Sequence, residues 1–523
     1  MTDHLSHTVA AAIRRAEQHF GSRPAVLDRG RRVRYAELAP QVRRVAAALI
    51  AHGVGPGDRV CLWAPNRLEW MLAALGAQYL GAVLVPLNTR YRGAEALDVL
   101  NRTQARLLVV DQSFLNTDYV GLLSAAAGPE HKPPATIVTI EGTGAVSWAD
   151  FLAAATPADL ERAEAMADRV SPDDVADILF TSGTTGRSKG AMSSHRQALG
   201  LARAWATRAQ LTATDRYLIV NPFFHNFGYK AGYLACLLTG ALVVPQSVFD
   251  AATVLEEIER EQITVLPGPP TIYQVLLEDP ALAGRDLSSL RLAVTGAAMV
   301  PETLIRRMGT ELRIARTLTA YGLAEAAVVT MCTAGDDDHT VATTCGRPLE
   351  WAEVRTVSEQ GPTPPGVPGE VLIRGPHVML GYLDDPEATA ATIDADGWLH
   401  TGDVGVLDER GYLRITDRIK DMFTVGGFNV YPAELEQVIT AHPAVRDCAV
   451  IGVPEPRFGE VGRAYVCLRQ GKLVDADELI AYCRERLANF KVPRSVVIVD
   501  ELPRNAGGKV VKTQLRRQAL EGR

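Results

Sequence analysis

Directly after the apolar run Ile178–Phe180 the chain reads Thr181-Ser182-Gly183-Thr184-Thr185-Gly186-Arg187-Ser188-Lys189-Gly190. Its glycines let backbone amides converge, its hydroxyls add donors, and Lys189 supplies positive charge. Such a loop is built to hold phosphate oxygens. It is not the G-x-x-x-x-G-K loop, whose Gly and Lys spacing is absent. A flexible Ser/Gly linker would seldom end in Lys-Gly or follow a buried strand so closely. Taken alone, the polar residues His225, Glu325, Asp403 and Lys509 have plain readings. His225, close to Phe224 and Phe227, reads equally as a satisfied core histidine. Glu325 and Asp403 read as solvated carboxylates, Lys509 in its Gly-rich stretch as a surface lysine, and Tyr321 as packing. The acidic run Asp336–Asp338 has no His or Cys at ligand spacing and reads as a solvated loop.

Such residues need a rigid frame. Leu38, Val42, Val45 and Leu49 share one helical face, and Gly53 with Pro56 ends that helix. The apolar run Val60–Trp63 precedes a helix start at Asn66, with Glu69 three residues on, and Ala82–Leu87 follows as a strand. Strand, helix, strand at this spacing predicts a βαβ unit and a parallel sheet. Further strands are expected at Leu107–Val110, Ile178–Phe180, Tyr217–Val220, Ala241–Val244, Thr264–Leu266 and Leu292–Val294. The expected fold class is α/β, a large region of doubly wound sheets in two similar halves over about residues 1–345. After Cys345 the texture changes to short strands and tight turns, among them Glu353–Ser358, Glu370–Arg374 and Gly411–Ile415. That predicts a small β-barrel-like subdomain over about 346–417. From Arg418 the pattern is compact α+β, with a helix beginning at Pro432, strands at Ala449–Val453 and Ala464–Leu468, and a helix over Asp475–Ala488. The charged stretch Asp417–Asp421 is where a linker between domains 1–417 and 418–523 is expected.

A chain of 523 residues accommodates several domains, and 47% apolar with 22% charged residues is ordinary for a globular protein. The 54 Lys and Arg against 61 Asp and Glu give a net charge of −7, which offers no general attraction to nucleic acid or anionic lipid. The seven cysteines are scattered and form no CxxC pair, as for buried thiols in a reducing compartment. The first twenty or so residues suit a short amphipathic helix, and no apolar stretch reaches spanning length. A cytoplasmic location without integral membrane contact is expected.

The phosphate loop is followed, in order, by Asn221-Pro222-Phe223-Phe224-His225-Asn226-Phe227-Gly228, Thr295-Gly296-Ala297-Ala298, Thr319-Ala320-Tyr321-Gly322-Leu323-Ala324-Glu325 and Gly381-Tyr382-Leu383. Then come Trp398–Asp403, Thr416-Asp417-Arg418-Ile419-Lys420-Asp421, Gly426–Pro432 and Pro503–Lys509. Together these motifs cover the chain almost end to end, and the set resembles the adenylate-forming superfamily of acyl-CoA synthetases, peptide-synthetase adenylation domains and luciferases. The resemblance implies that Thr181–Lys189 hold the β- and γ-phosphates of ATP, with Thr184 among the catalytic residues alongside Lys509, Glu325 and His225. It implies that Gly296, Ala297, Tyr321 and Gly322 line the adenine, and that Asp403 with Arg418 holds the ribose. Glu325 with Thr181 would bind Mg²⁺. Lys509 would reach the α-phosphate and the carboxylate, Lys420 would be the hinge of a mobile C-terminal domain, and Gly426–Gly427 would line the pantetheine tunnel.

The implied chemistry has two steps, attack of a carboxylate on the α-phosphorus of ATP and then displacement of AMP by a thiol. No carrier domain follows and no large insertion appears after Asp417–Asp421, so free CoA is the expected thiol. A separate carrier protein loaded by an acyl-AMP ligase is the alternative. The resemblance leaves room for a homodimer. Amino-acid-activating relatives place an Asp near His225 to pair with the substrate ammonium, and the segment Phe223–Lys230 has no acid. An apolar acyl pocket is expected from His225, Phe227, Gly228, Ala297, Ala326, Val329 and Met331. The strings Asp177–Gly183, Asn221–Gly232 and Val265–Tyr273 resemble bacterial enzymes that activate the bicyclic indanedione propanoate left when steroid rings A and B are degraded. A medium or long fatty acid and an aryl acid are the alternatives. One position departs from the family pattern: Ala324 stands where Tyr-Gly-x-Thr-Glu has its Thr.

Overall fold

The protein is described from a computed structural model that covers residues 7–521 except 130, 143–145, 182–187, 297–299, 419–420, 426–427, 456–457, 488 and 506–508, with backbone alone at 418, 424, 428 and 429. Two large sheets dominate residues up to about 348. The first orders its strands Gly381–Tyr382, Lys189–Ser194, Val175–Thr181, Val83–Pro86, Arg59–Trp63, Leu107–Val110, Thr136–Thr139 and Val146–Ser147. The second runs Arg347–Pro348, Thr330–Met331, Thr317–Tyr321, Leu292–Gly296, Val265–Pro267, Arg216–Ile219, Leu242–Pro245, Pro24–Asp28 and Arg31–Arg34. Their central strands are parallel and buried on both faces, which is why they read as unbroken Val, Leu and Ile runs.

The helix Tyr35–Ala51 buries Leu38, Val42, Val45 and Leu49, and Gly53 beyond it takes φ +77° to turn the chain. The helix expected to begin at Asn66 instead runs Leu68–Tyr79, and Asn66 is not its cap. The Leu68 amide donates to Asp28 Oδ2 at 2.8 Å, a carboxylate of the other sheet. Asn66 is thereby released for a role at the site. The two halves are also not successive in the chain. Pro24–Asp28 pairs in parallel with Leu242–Pro245, with Val26 opposite Val243.

The subdomain expected to be barrel-like is a five-stranded antiparallel sheet, ordered Gly361–Pro362, Glu353–Ser358, Gly369–Arg374, Leu399–Leu407 and Leu413–Arg418. Its edge strands do not pair with each other. The Leu413 edge is covered instead by Cys345 and Gly346, through Cys345 N–H to Leu413 O at 2.6 Å and Leu413 N–H to Gly346 O at 2.9 Å. A separate sheet begins at Phe423 and joins Val445–Glu455, Gly459–Leu468 and Ser495–Ile498, flanked by helices Pro432–Thr440, Ala476–Arg484 and Lys512–Glu521. The Asp336–Asp338 run is more ordered than a loop: Asp337 caps the helix Asp338–Thr343. All seven cysteines are free, and only Cys345 is not fully buried. Among the described residues no helix is long and apolar enough to cross a membrane.

Candidate active site

The hairpin of Val175–Thr181 and Lys189–Ser194 closes with Thr181 opposite Lys189, so the two ends of the phosphate-type loop stand side by side. Residues 182–187, including Ser182, Gly183, Thr184, Thr185, Gly186 and Arg187, lie outside the described residues. Ser188 is tied down by Arg102, which donates to its carbonyl at 2.7 Å from the end of the helix Gly93–Arg102. Nothing in the spacing of the sequence marks Arg102 for this.

Tyr321 and Asp403 come from different sheets and meet through their side chains. The Tyr321 hydroxyl donates to Asp403 Oδ2 at 2.5 Å, and Asp403 is buried. Asp403 also faces Arg418 across the antiparallel pair, although the Arg418 side chain lies outside the described atoms, as do Ala297, Lys420, Gly426 and Gly427. Gly296 and Gly322 leave no room for a side chain: a Cβ would lie 2.4 Å from Ala320 O at the first and 1.5 Å from Ala327 O at the second. Both allow neighbouring backbone to close under the Tyr321 segment.

Glu325 is half-buried. Its carbonyl accepts from Met379 N–H at 2.7 Å, and its Oε1 accepts from the Tyr382 hydroxyl at 2.8 Å. Burial, reinforced by the Glu325 charge, pushes the Tyr382 hydroxyl well above its usual range, so it stays a donor. Lys189 Nζ sits 4.9 Å from the centroid of the same ring. Glu325 offers a carboxylate and Thr181 a hydroxyl, hard oxygen donors of the kind Mg²⁺ takes one or two of, leaving the rest of its shell to phosphates and water.

His225 follows a turn in which its carbonyl accepts from Gly228 N–H at 3.0 Å, while Phe227 N–H donates to its Nδ1 at 3.2 Å. The His225 side chain is exposed to solvent. The surrounding protein, and after it the Lys509 charge, push the imidazole down to about 4. It is neutral at pH 7. Lys509 belongs to the C-terminal unit, where its turn is held by Asn505, whose Oδ1 accepts from Lys509 N–H at 3.0 Å.

The backbone leading to His225 is moored by Asn66. Its amide donates to Ile219 O at 3.1 Å and Asn221 O at 2.8 Å, and its Oδ1 accepts from Phe223 N–H at 2.7 Å. The π-helical turn Tyr229–Leu234 then carries a buried cation: Lys230 Nζ is 2.9 Å from Asp177 Oδ1 and 2.9 Å from Ser193 Oγ. Tyr229 adds a bond to Asp177 Oδ2 at 3.2 Å. A lone Lys in an otherwise apolar run was the available sequence signal. A Cβ at Gly228 would lie 2.4 Å from Asn221 O, so the turn needs its glycine. Phe227 packs edge-on against Trp205, with centroids 5.5 Å apart.

Three of the expected pocket residues are buried in apolar clusters. Ala326 and Val329 pack with Val371, Ile373, Leu399 and Leu413 in the core of the β-rich sheet, and Met331 is buried in the main core. Ala327, between Ala326 and Val329, takes a φ of +47°. Ala324 itself is half-buried. Ala324→Thr is expected to keep the melting temperature and to accelerate acyl-adenylate formation, by at most about 10²-fold. First-turnover rates equal to those of the parent would show that the position is indifferent.

Residues 13–383 match the AMP-binding enzyme family, and residues 434–509 match the AMP-binding enzyme C-terminal domain. Over 516 residues the chain is 54% identical to the 3-(7a-methyl-1,5-dioxo-octahydro-1H-inden-4-yl)propanoyl:CoA ligase of Rhodococcus jostii (strain RHA1), across 98% of each protein. It is also 54% identical over 512 residues to the ligase of the same name from Mycobacterium tuberculosis, covering 97% of this chain and 98% of that one. Among solved structures, ATP-bound MatB from Rhodopseudomonas palustris superposes with a TM-score of 0.88 at 33% identity, covering 98% of this chain and 99% of that one. The chain belongs to the AMP-binding enzyme family: it is an AMP-forming acyl-CoA synthetase that uses ATP, CoA and Mg²⁺.

Proposed function

We propose that the acid activated by this chain is the bicyclic methyl-dioxo-octahydroindenyl propanoate, the indanedione propanoate of steroid degradation. The observation that carries this reading is the 54% identity, over nearly the full length, with the Rhodococcus jostii ligase named for that acid. The absence of an acid from Phe223–Lys230 agrees with a substrate that has no ammonium to pair.

In this reading Lys189 and the Thr181–Ser188 loop hold the β- and γ-phosphates, Tyr321 offers a ring to the adenine, and Asp403 accepts from the ribose hydroxyls. Glu325 and Thr181 hold Mg²⁺, which supplies charge neutralisation at the phosphates. Lys509 reaches the α-phosphate as the substrate carboxylate oxygen bonds to the phosphorus and the bond to pyrophosphate breaks. Negative charge grows there, and a fixed cation stabilises it. The C-terminal unit then turns about Lys420, and the CoA sulfur bonds to the acyl carbonyl carbon as AMP leaves with the former carboxylate oxygen. Seven free thiols suit the reducing cytoplasm, where we place the enzyme.

A CoA-dependent thioester assay across bicyclic propanoic, fatty and aryl acids tests the substrate. The bicyclic propanoate is expected to lead in kcat/KM by at least about tenfold. A fatty or aryl acid in the lead overturns the reading. We assign His225, exposed and neutral, to the carboxylate end of the pocket. His225→Ala is expected to reduce kcat/KM for the acid by about 10²-fold while leaving ATP affinity within about twofold. Equal loss of stability and of binding of both ligands would return His225 to a packing role.

A further inference from the structure

We infer that Tyr382 is a positioning residue that aims the Glu325 carboxylate at the metal–phosphate centre. The inference rests on the assignment of Glu325 to Mg²⁺ and goes beyond it by giving a task to the Gly381–Tyr382 strand. This two-residue strand belongs by sequence to the β-rich segment, yet it pairs with the edge of the first sheet, Tyr382 opposite Ala191 and Gly381 opposite Met192. The partner strand begins at Lys189, so the same ladder carries the end of the phosphate loop.

From this register one side chain touches both charges. The hydroxyl of Tyr382 donates to Glu325 Oε1 at 2.8 Å, and its ring stands 4.9 Å from Lys189 Nζ. The residue is 7% exposed, packed with Ala191 and Met379, and its amide donates to Thr389 Oγ1 at 2.9 Å. The Tyr382 phenol is therefore held in place from the backbone outward. Met379 N–H fixes the Glu325 carbonyl, and among the described residues the Tyr382 bond orients the carboxylate. With Oε1 engaged, Oε2 is, among the described residues, the oxygen left to point at a cation. Partners of this kind, one bond removed from a metal, fix the ligand's direction and raise metal affinity about 10–100-fold.

Tyr382→Phe keeps the ring beside Lys189 and deletes only the hydroxyl. The test measures binding of α,β-methylene-ATP by calorimetry with and without Mg²⁺, for the parent, Tyr382→Phe, Glu325→Gln and the double variant. Thermal melting confirms that each is folded. Tyr382→Phe is expected to weaken binding about tenfold with Mg²⁺ and to leave Mg²⁺-free binding unchanged. The double variant should be no weaker than Glu325→Gln alone, because the two residues act as one unit. If Glu325→Gln shifts the Mg²⁺-dependent affinity and Tyr382→Phe does not, the positioning role is overturned and the Glu325 assignment stands. Additive losses in the double variant overturn it as well. If Glu325→Gln itself leaves the Mg²⁺ dependence unchanged, both the assignment and the inference fall.

Discussion

Lys509→Ala lowers the rate of acyl-adenylate formation by about 10²–10³ and leaves thioester formation from a supplied acyl-adenylate nearly intact. The expectation starts from where the Lys509 side chain stands. Its charge is felt at His225, which is pushed down to about 4 by the surrounding protein and then by this lysine. In the proposed mechanism the C-terminal unit presents this cation to the carboxylate end of the substrate. A cation there acts mainly on the transition state, in which charge accumulates on the α-phosphate, so the rate should fall more than ATP affinity. In the second half-reaction the proposed turn about Lys420 removes Lys509 from the site. Pyrophosphate release from ATP and acid, compared with thioester formation from acyl-adenylate and CoA, separates the two steps. Comparable loss of both in a folded variant would refute the alternating-domain reading.

Lys230→Met is expected to destabilise the protein by about 3–5 kcal/mol, with the same cost for Asp177→Ala. Asp177 is fully buried and Lys230 is 2% exposed, so removing either partner strands a charge with no access to water. Burial raises the Asp177 pKa, and the Lys230 charge, with bonds from Lys230, Tyr229 and Ser193, opposes that rise. The double change Lys230→Met with Asp177→Leu should recover most of the loss, since apolar packing of similar volume costs far less than an unpaired ion. Denaturant midpoints of the three variants measure this. A single variant within about 1 kcal/mol of the parent would show that the pair contributes little. The pair also ties the π-helical turn after His225 to the strand that ends at Thr181. Variants that remain folded should therefore lose acid affinity along with stability.

Much of the architecture was legible because local rules and global packing agree here. Leu107–Val110 is a strand at the expected residues, and the helix after Pro432 begins where a proline without an amide hydrogen is tolerated. Boundaries moved where a distant group took over a local task. Asn66 has the side chain of a helix cap, but Asp28 from the other sheet caps that helix, and Asn66 is used across the interface at Asn221. Ala326, Val329 and Met331, expected at a pocket, are buried in apolar clusters. Apolar residues next to a motif are equally suited to a core and to the wall of a pocket, because both bury them.

The linear chain by itself determined the chemistry class, because phosphate, carboxylate and adenylate handling demand particular side chains at short, fixed spacings: a loop ending at Lys189, a carboxylate at Glu325, a cation at Lys509. Hydrophobic periodicity likewise determined the α/β class and the change of texture after Cys345. Tertiary structure alone decided which distant residues meet. The Lys230–Asp177 pair spans 53 positions, Tyr382 and Glu325 are 57 apart, and His225 senses a charge from the C-terminal unit. Such meetings leave no local pattern. Their partners are chosen by strand order and by the need to satisfy each buried polar group, and both are properties of the packed chain.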